Sequence, residues 1–490
     1  MKLFVWISLL LTLPVNFTVA RYNYSYYGDV IHSAPGFTFA QYFNATTLGL
    51  NVNNQFTQPE DLIVYGDQIY IVTSGDSALY IINDRFELQL RKTSFDLSAE
   101  LETQFIEEGK VVAPQTLNKP RGIDVKDTGI YIADTDNKRI LKLNFDLEIV
   151  MIVDSIDDVT FESVEFEPAK ITTDSTGRMY VVASNIYEGI LELDTDGSFN
   201  RYTGVNPITL TPLEIFQRQF MTEEQISKLE RYLPTEYTNV NMSDKNFIYS
   251  TSLPSANNDS NMIQLINPKG IDVLKRNGYH IPKGDIQFVV GMNNYVIDGP
   301  SRLVDVALYK DGIYTVLDTK RSRLFTYDSE GNLLYINGDA GNQSDRFSEG
   351  VALDYLKDRL VVLDRQLNQV IVYEHTEFGN KVNEAIGLYE RGEFEAAAVI
   401  WEEVLTLNTN YEIAYNGIGK YYLRTGEFDK AIEFFAVGKD KFYYSKAFKQ
   451  YRNQIIKDNF GYIIGAILLI PIGITTYRVV KKVRKGDELE

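Results

Sequence analysis

The chain has 490 residues, no cysteine and a formal net charge of −19. The absence of cysteine excludes disulfides, thiolate catalysis, cysteine-ligated zinc and iron–sulfur clusters, and the acidic balance excludes nonspecific binding to nucleic acid. Tyrosine (33 residues) and phenylalanine (27 residues) are abundant, which favours strands over helices.

Residues 1–20 have the pattern of a secretory signal peptide. Lys2 is followed by an apolar run that is too short to span a bilayer, and the segment ends in the small-x-small pattern Thr18-Val19-Ala20. We predict cleavage after Ala20, so that the mature protein is exported. An uncleaved N-terminal anchor is the alternative.

One phrase recurs along the next part of the chain. The clearest copy is "KPRGIDVKDTGIYIADTDNKRILKLN", Lys119 to Asn144, and related copies begin at Gln58, Glu167, Ser301 and Ser348. Each copy alternates apolar and polar residues between closely spaced turns, which predicts an antiparallel β-meander. The distance from Pro59 to Thr73 equals that from Pro120 to Asp134, 14 residues, and such fixed spacing is typical of a true repeat.

A sixth, degenerate copy is implied between Val240 and Pro300. We interpret "NFIYSTS", Asn246 to Ser252, as its inner strand and "NMIQLINPKGIDVL", Asn261 to Leu274, as its outer half. Six four-stranded units in series predict a mainly β fold, a six-bladed β-propeller at residues 35–378, because one such sheet cannot bury both of its faces alone. The part of the phrase from Gly129 to Asn144 is then interpreted as the inner hairpin of a blade, repeated once in each blade.

The residues of the clearest copy resemble a known repeat. "PRGIDV…YIADTDNKRI" is similar to the NHL repeat, whose pattern is roughly P-x-G-I-x-V followed by Y-V-A-D-x-x-N-x-R-I, and "LDTKRSRLFTYD" and "LDRQLNQVIVYE" match it in part. The resemblance covers residues 35–375 and implies a six-bladed propeller of the sugar-lactonase-like superfamily. It leaves function open, because propellers include enzymes, lectins and scaffolds.

Residues 208–236 interrupt the blade pattern and predict a helical hairpin. Thr211 and Pro212 are typical of a helix start, and Thr222 and Gln225 form a capping box for a second helix. We expect this insertion to project from the propeller rim. Two interpretations remain open, a decoration that shields a sheet edge, or a handle or lid for a partner.

Beyond Glu374 the apolar period changes from about 2 to about 3.6 residues, which predicts helices over residues 379–456. "RGEFEAAAVIW" aligns with "TGEFDKAIEFF", and 34 residues separate both Gly392 from Gly426 and Ala397 from Ala431. This period, with glycine, alanine and an aromatic residue in fixed places, resembles the tetratricopeptide repeat. The resemblance implies two helical hairpins, with a third pair started at "SKAFKQYRNQ".

Two repeats form a short solenoid, and its role stays open. It is either a stiff stalk between the propeller and the membrane or a groove that binds a peptide. Three aromatic residues are the candidates for such a groove, Trp401, Tyr415 and Tyr422.

Residues 460–480 predict a single transmembrane helix. "FGYIIGAILLIPIGITTYRVV" has about 20 apolar residues, the length of the hydrocarbon core, with Tyr462 and Tyr477 at the expected interfaces. The basic cluster in residues 481–490 keeps this tail in the cytoplasm by the positive-inside rule. The prediction is a single-pass protein of a bacterial cell membrane with residues 21–458 outside, since a cysteine-free exported domain favours a Gram-positive bacterium.

The sequence offers little conventional chemistry. It contains no G-x-S-x-G elbow, H-E-x-x-H motif, Walker loop or dinucleotide fingerprint. His32, His280 and His375 are isolated in sequence, and we interpret them as structural residues. No catalytic residue, metal or cofactor is predicted.

The predicted propeller mouth is cationic. Inner strands should begin near four basic residues, Lys119, Arg121, Lys170 and Arg302, with only scattered acids such as Glu60 and Glu349 beside them. Such a rim prefers an anion or a carboxylate partner to a divalent metal.

These features together predict a membrane-anchored extracellular binding or scaffold protein with a protein or carbohydrate partner. The arrangement resembles a group of Gram-positive membrane proteins, and that resemblance implies an accessory role beside a carbohydrate ABC transporter. The main alternative is a gluconolactonase-like sugar lactonase or glycan-processing enzyme that uses the propeller mouth. Related lactonases hold a divalent metal with Glu, Asn and Asp, and only Glu60 stands near such a position here. A purely structural surface protein is the third interpretation.

Overall fold

The computed structural model describes residues 21–156, 161, 165–205, 221, 236–254, 261–286 and 299–487. The signal peptide predicted at residues 1–20 and nearly all of the helical insertion predicted at 208–236 lie outside the described residues. The chain divides into two compact units, Met1–Asn383 and Glu384–Glu490.

The first unit is a six-bladed β-propeller, as the repeats predict. It opens with β1 (Tyr22–Tyr24), β2 (Val30–His32) and β3 (Phe37–Asn44). Blade 1 consists of β4 (Pro59–Tyr65), β5 (Gln68–Thr73), β6 (Ala78–Asn83) and β7 (Leu88–Lys92). The connection to blade 2 contains β8 (Ser94–Phe95), α1 (Ala99–Glu107) and β9 (Gln115–Thr116). Blade 2 consists of β10 (Gly122–Lys126), β11 (Gly129–Asp134), β12 (Arg139–Leu143) and β13 (Ile149–Val153).

The remaining blades repeat the same antiparallel order of neighbouring strands. Blade 3 consists of β14 (Glu167–Thr173), β15 (Met179–Ser184), β16 (Ile190–Leu193) and β17 (Phe199–Thr203). Blade 4 has three described strands, β18 (Tyr237–Met242), β19 (Ile248–Ser252) and β20 (Ile263–Ile266). Blade 5 consists of β21 (Leu303–Leu308), β22 (Tyr314–Asp318), β23 (Arg323–Tyr327) and β24 (Leu333–Asn337). Blade 6 consists of β25 (Gly350–Leu356), β26 (Arg359–Asp364), β27 (Gln369–His375) and β3.

The first strand of each blade lines the central axis. These inner strands contact one another in the order β4, β10, β14, β18, β21, β25 and back to β4. Two sequence interpretations are therefore corrected. The part of the phrase from Gly129 to Asn144 forms the second and third strands of blade 2, β11 and β12, and not its inner hairpin, because β10 precedes it as the inner strand. In blade 4 the inner strand is β18, because Asn246–Ser252 contains the second strand, β19.

The ring closes through its two ends. β3, near the start of the described chain, pairs with β27, the last strand, so that Phe37 lies opposite His375 and Asn44 lies opposite Gln369. Two segments more than 300 residues apart thus complete one sheet. Because closure leaves no free edge at this junction, the propeller needs both ends in place.

Separate apolar clusters fill the spaces between neighbouring blades. Val72 of blade 1 packs in one such cluster with Ile123, Ile132 and Leu141 of blade 2, and all four side chains are buried. Burial of an aliphatic side chain of this size contributes roughly 1.5–3 kcal/mol. The middle strands of each blade supply most of these residues, which explains why they give the strongest signal in the sequence.

Polar side chains on the inner strands also join one blade to the next. Five of them accept a hydrogen bond from a backbone N–H of the following inner strand. The pairs, acceptor first, are Asp61 with Ile123 (3.0 Å), Asp124 with Thr173 (2.8 Å), Thr172 with Met242 (3.0 Å), Asp305 with Leu353 (2.7 Å) and Asp354 with Val64 (2.7 Å). Burial raises the pKa of Asp305 to about 7 and that of Asp354 to about 6.

His375 gives the closure strand a pH-dependent stability. Its Nδ1 lies 3.0 Å from the carbonyl oxygen of Asp358, its ring centre lies 4.6 Å from that of Phe37, and burial lowers its pKa to about 4. In the unfolded chain this histidine is protonated below about pH 6.5, whereas in the folded chain it stays neutral until about pH 4. The free energy of unfolding therefore falls as the pH falls from about 6.5 to 4.

We therefore expect a pH shift from 7 to 5 to lower the free energy of unfolding by about 1.5 kcal/mol more in the wild type than in His375→Phe. Denaturant titrations at the two pH values measure this difference. Exposed His32 provides the control, and His32→Phe should behave as the wild type. Identical pH responses of His375→Phe and the wild type would contradict the assignment.

The second unit is helical. The helices of this region are α2 (Glu377–Glu390), which contains the boundary between the units, α3 (Phe394–Leu407), α4 (Glu412–Thr425), α5 (Phe428–Val437), α6 (Lys441–Asp458) and α7 (Phe460–Asp487). Gly392 and Gly426, 34 residues apart, follow α2 and α4 with φ of 84° and 85°. Both turns need a left-handed residue, which explains the repeated glycine.

Helix α7 contains a segment of 25 residues, Phe460–Arg484, that is long and apolar enough to cross a membrane. At about 1.5 Å per residue it is longer than the hydrocarbon core of about 30 Å. The predicted span at 460–480 lies inside this segment.

Candidate functional site

The candidate site is a cavity of about 240 Å³ at the mouth of the propeller axis. All six blades contribute to it through the beginnings of their inner strands. Its charged lining residues are Glu60, Arg121, Lys170, Glu236, Arg302, Glu349 and Arg365. Because the six inner strands start at the same end of the ring, residues far apart in sequence meet here.

β-Bulges direct several side chains into the cavity. Five inner strands shift register near their start, and the residues at these shifts, Glu60, Ala169, Thr238, Val304 and Val351, all line the mouth. A bulge inserts one residue and redirects its side chain. The described pairing of β10 with β11 is regular, and in this blade Arg121, the residue before β10, lines the mouth instead.

The structure brings three of the four predicted cations together. Arg121, Lys170 and Arg302 line the cavity. Lys119 does not, contrary to the prediction, because its exposed ammonium group turns to Asp136 of the same blade, with Nζ 2.7 Å from Oδ2. The backbone at Lys119 is left-handed, with φ of 47°, and this turn separates it from the inner strand.

Lys170 is a cation that the protein itself neutralises. Its Nζ lies 2.8 Å from Oδ1 of Asp61 and donates to the carbonyl oxygen of Glu60 at 3.1 Å. The side chain is only 13% exposed. Burial raises the pKa of Asp61, and the charge of Lys170 opposes that rise. Lys170 therefore helps to hold blades 1 and 3 together, and little of its charge remains for a ligand.

Arg365 is a site residue that sequence reasoning missed. Its Nη1 lies 3.0 Å from Oε2 of Glu60, and its Nη2 donates to Glu349, so both predicted acids of the mouth are bound to one guanidinium. Arg365 follows β26 in "LDRQLNQ", at the place of Thr135 in "ADTDN" and Thr319 in "LDTKR". Thr319 also lines the cavity, so aligning this turn between the repeats could have found the position.

Arg121 and Arg302 differ from these neutralised cations. Each directly precedes an inner strand, and its backbone N–H is fixed, to the carbonyl oxygen of Ala133 for Arg121 and to Oδ1 of Asp318 for Arg302, both at 3.0 Å. Both side chains are exposed. Within the described part of the chain, neither guanidinium has a hydrogen bond or an ion pair.

The two free arginines face each other across the mouth. Arg121 belongs to blade 2 and Arg302 to blade 5, and these blades are three places apart in a ring of six. The acid Glu236 of blade 4 is also exposed at the cavity and forms no ion pair with the described residues. Among the described residues, two positive groups and one negative group therefore face the cavity without an ion-pair partner.

The three groove candidates in the helical unit do not share an open surface. Trp401 is 2% exposed, and a Cβ on Gly417 would lie 2.2 Å from its Nε1, so it packs inside the unit. Tyr415 is half-buried and donates to the carbonyl oxygen of Thr409 at 3.0 Å. Tyr422 stacks on Phe434 with ring centres 5.4 Å apart.

Among the described residues, no three His, Asp or Glu side chains are grouped to hold a metal ion. Glu60, the one residue near a position expected for a lactonase metal, is 12% exposed and is bound to Arg365 and to Ser74, whose Oγ donates at 2.8 Å. The mouth therefore presents this carboxylate as part of an ion-pair network.

No protein-family model matches the chain, and no curated protein matches it. Several solved structures are similar at low identity. An inactive virginiamycin B lyase from Staphylococcus aureus with quinupristin shares 12% identity over 69% of this chain and 99% of that chain, with a TM-score of 0.39. A streptogramin B lyase shares 12% identity over 69% of this chain and 98% of that chain, with a TM-score of 0.40. Hydrazine synthase from Kuenenia stuttgartiensis shares 11% identity over 67% of this chain and 98% of that chain, with a TM-score of 0.38. At this level the similarity carries no argument about function.

Proposed function

We propose that the chain is a membrane-anchored binding protein whose propeller mouth binds a small dianion. One observation carries the proposal. Arg121 and Arg302 line the same cavity from opposite blades, and neither has a counter-charge among the described residues. Two exposed guanidinium groups around one polar cavity form a binding site for negative charge.

The positions of the charges favour two carboxylate groups rather than one. A guanidinium binds a carboxylate through two parallel hydrogen bonds, and the two arginines stand too far around the ring to be neighbours. A ligand with one carboxylate at each end can pair with both. Lys170 and Arg365 form the wall between them, because their charges are already paired.

Glu236 narrows the ligand class further. Its exposed carboxylate repels additional negative charge and accepts hydrogen bonds from hydroxyl groups. A polyhydroxylated dicarboxylate, such as a sugar diacid, combines the two anionic ends with hydroxyl donors. This chemistry agrees with the proposed place of the protein beside a carbohydrate transporter.

The membrane part of the proposal rests on α7. If this helix spans the bilayer, the basic residues Lys481, Lys482 and Arg484 favour a cytoplasmic tail and a propeller outside the cell. The propeller would then collect its ligand near the membrane and present it to an importer. Crosslinking in intact cells that recovers no transporter subunit would contradict this last part.

Calorimetric titration of the full-length chain in phosphatidylcholine nanodiscs tests ligand binding. The probes are linear α,ω-dicarboxylates of increasing length, the diacid of glucose, and the matching monocarboxylates. We expect one length to bind best and its monocarboxylate to bind about 10- to 100-fold more weakly, because one charge-assisted contact is lost. Equal binding of the mono- and dicarboxylates, or no binding of either, would contradict the proposal.

The same preparation distinguishes the enzyme alternative. Elemental analysis gives its divalent-metal content, and a coupled assay gives the hydrolysis of sugar lactones. One bound divalent ion per chain, lost on chelation together with lactone hydrolysis, would replace the binding proposal with a lactonase.

A further inference from the structure

Helix α6 carries an apolar stripe that its own unit leaves uncovered. Tyr444, Phe448, Tyr451 and Ile455 are spaced by four, three and four residues, so their side chains lie along one side of the helix. Each is between 36% and 47% exposed. The stripe is therefore a continuous aromatic and aliphatic surface on the last helix before the candidate membrane span.

The contacts of α6 with the rest of the helical unit are confined to its first half and lie at the border of the stripe. Ala447 is fully buried in a cluster with Ala431 and Phe435 of α5, and Tyr443 packs beside it. Beyond Ala447, every described residue of α6 is exposed. The helical unit therefore covers only the edge of the stripe beside Ala447, and Phe448, Tyr451 and Ile455 stay exposed.

The rest of the α6 surface is basic, in contrast to a chain with a net charge of −19. The helix has one acid, Asp458, and five cations, Lys441, Lys446, Lys449, Arg452 and Lys457. Within the described chain, Lys449, Arg452 and Lys457 form no ion pair or hydrogen bond through their side chains. A helix with an apolar stripe and a basic surface is complementary to an anionic lipid surface.

The position of α6 indicates which surface covers the stripe. α6 ends at Asp458 and α7 begins at Phe460, and the linking residue Asn459 departs from helical geometry with φ of −106° and ψ of 14°. At about 1.5 Å per residue, Tyr444 would stand about 22 Å above Asn459 if α6 continued along the bilayer normal. The whole stripe reaches lipid only if α6 lies along the bilayer.

We propose that α6 lies on the membrane surface, with the stripe in the boundary between headgroups and acyl chains. Its cations then contact anionic phospholipid headgroups. The proposal requires α7 to enter the bilayer and is independent of the ligand of the propeller mouth. It makes α6 a surface anchor that holds the helical unit close to the membrane.

The absence of cysteine makes the test direct, because single cysteines can be introduced and labelled with a nitroxide in the full-length chain. The test variants are Tyr451→Cys and Tyr444→Cys. The matched control is Asn453→Cys, which lies two residues from Tyr451 and about 200° around the helix. The probe membrane is a nanodisc holding one chain in equal parts of phosphatidylglycerol and phosphatidylcholine, and the readout is collision with oxygen relative to a water-soluble nickel chelate.

Labels at 444 and 451 are expected to collide several-fold more with oxygen than with the nickel chelate, and the label at 453 should show the reverse. In nanodiscs of pure phosphatidylcholine, which lack anionic headgroups, the label at 444 should be less protected from collision with the nickel chelate. Protection at 451 without protection at 444 would mean an upright helix and would overturn the proposal. Equal accessibility of the labels on both faces would also overturn the proposal. Protection that appears only in nanodiscs with two chains would overturn it too, because it would mean that a second copy of the chain covers the stripe.

Discussion

Replacement of Arg321 by methionine is expected to lower the free energy of unfolding of the propeller by about 3–5 kcal/mol. Arg321 is fully buried in blade 5, with Nε 3.2 Å from Oδ2 of Asp285 and Nη1 3.6 Å from Oδ2 of Asp318. Methionine fills much of the volume but leaves two buried carboxylates without this cation. Burial already raises the pKa of Asp285, so the loss of Arg321 disfavours its charged form further.

Guanidinium denaturation of the full-length chain, followed by the β signal of circular dichroism, measures the effect. Lys357→Met is the matched control, since Lys357 forms exposed ion pairs with Asp67 and Asp84 and should contribute less than about 1 kcal/mol. If Arg321→Met destabilises the protein no more than Lys357→Met does, the buried cluster does not stabilise blade 5.

The second large effect is expected for Asp305→Ala, which should lower the free energy of unfolding by about 2–4 kcal/mol. Asp305 is 3% exposed, and its Oδ2 accepts the N–H of Leu353 while its Oδ1 accepts the N–H of Val306 and the side-chain amide of Asn239. Alanine leaves these donors of blades 4, 5 and 6 without their acceptor. Each buried unsatisfied donor costs about 1–3 kcal/mol, and removing a buried charge offsets part of the sum.

The loss should depend on pH in a defined direction. Burial raises the pKa of Asp305 to about 7, so the folded chain holds a proton that the unfolded chain releases near its ordinary pKa. The stabilising contribution of Asp305 is therefore larger at pH 5 than at pH 8. Denaturant titrations at both values test this, with exposed Asp146→Ala expected to change stability by less than about 0.5 kcal/mol. A larger loss at pH 8 would show the opposite sign of the shift.

The sequence predicts the middle strands of the blades well and the inner strands poorly. Gly129–Asp134 and Arg139–Leu143 are almost wholly apolar on their buried positions, and both strands lie within the phrase from which the β-meander is predicted. The inner strand of blade 4, "YTNVNM", is mostly buried but contains two asparagines. Both asparagines donate to the next blade, Asn239 to Asp305 and Asn241 to the carbonyl oxygen of Val306 at 2.9 Å. These contacts between blades stabilise a strand that its own sequence does not indicate.

The positions of the candidate site residues were predictable from the repeat, but their contacts were not. Arg121, Lys170 and Arg302 stand near the starts of inner strands, a position that the repeat itself reveals. Their state of pairing was not predictable. Arg365 contacts Glu60 across 305 residues of sequence, and this contact exists only because ring closure places blade 6 beside blade 1.

The most direct test of the binding proposal is titration of four variants with the best dicarboxylate and its monocarboxylate. Arg121→Gln and Arg302→Gln should each weaken dicarboxylate binding about 10-fold or more, and the double variant should bind both ligands equally weakly, because each arginine supplies one charge-assisted contact. Lys119→Gln, which removes a cation outside the cavity, should bind as the wild type does. Wild-type affinity for the dicarboxylate in the double variant would contradict the assignment of the propeller mouth as a dianion site.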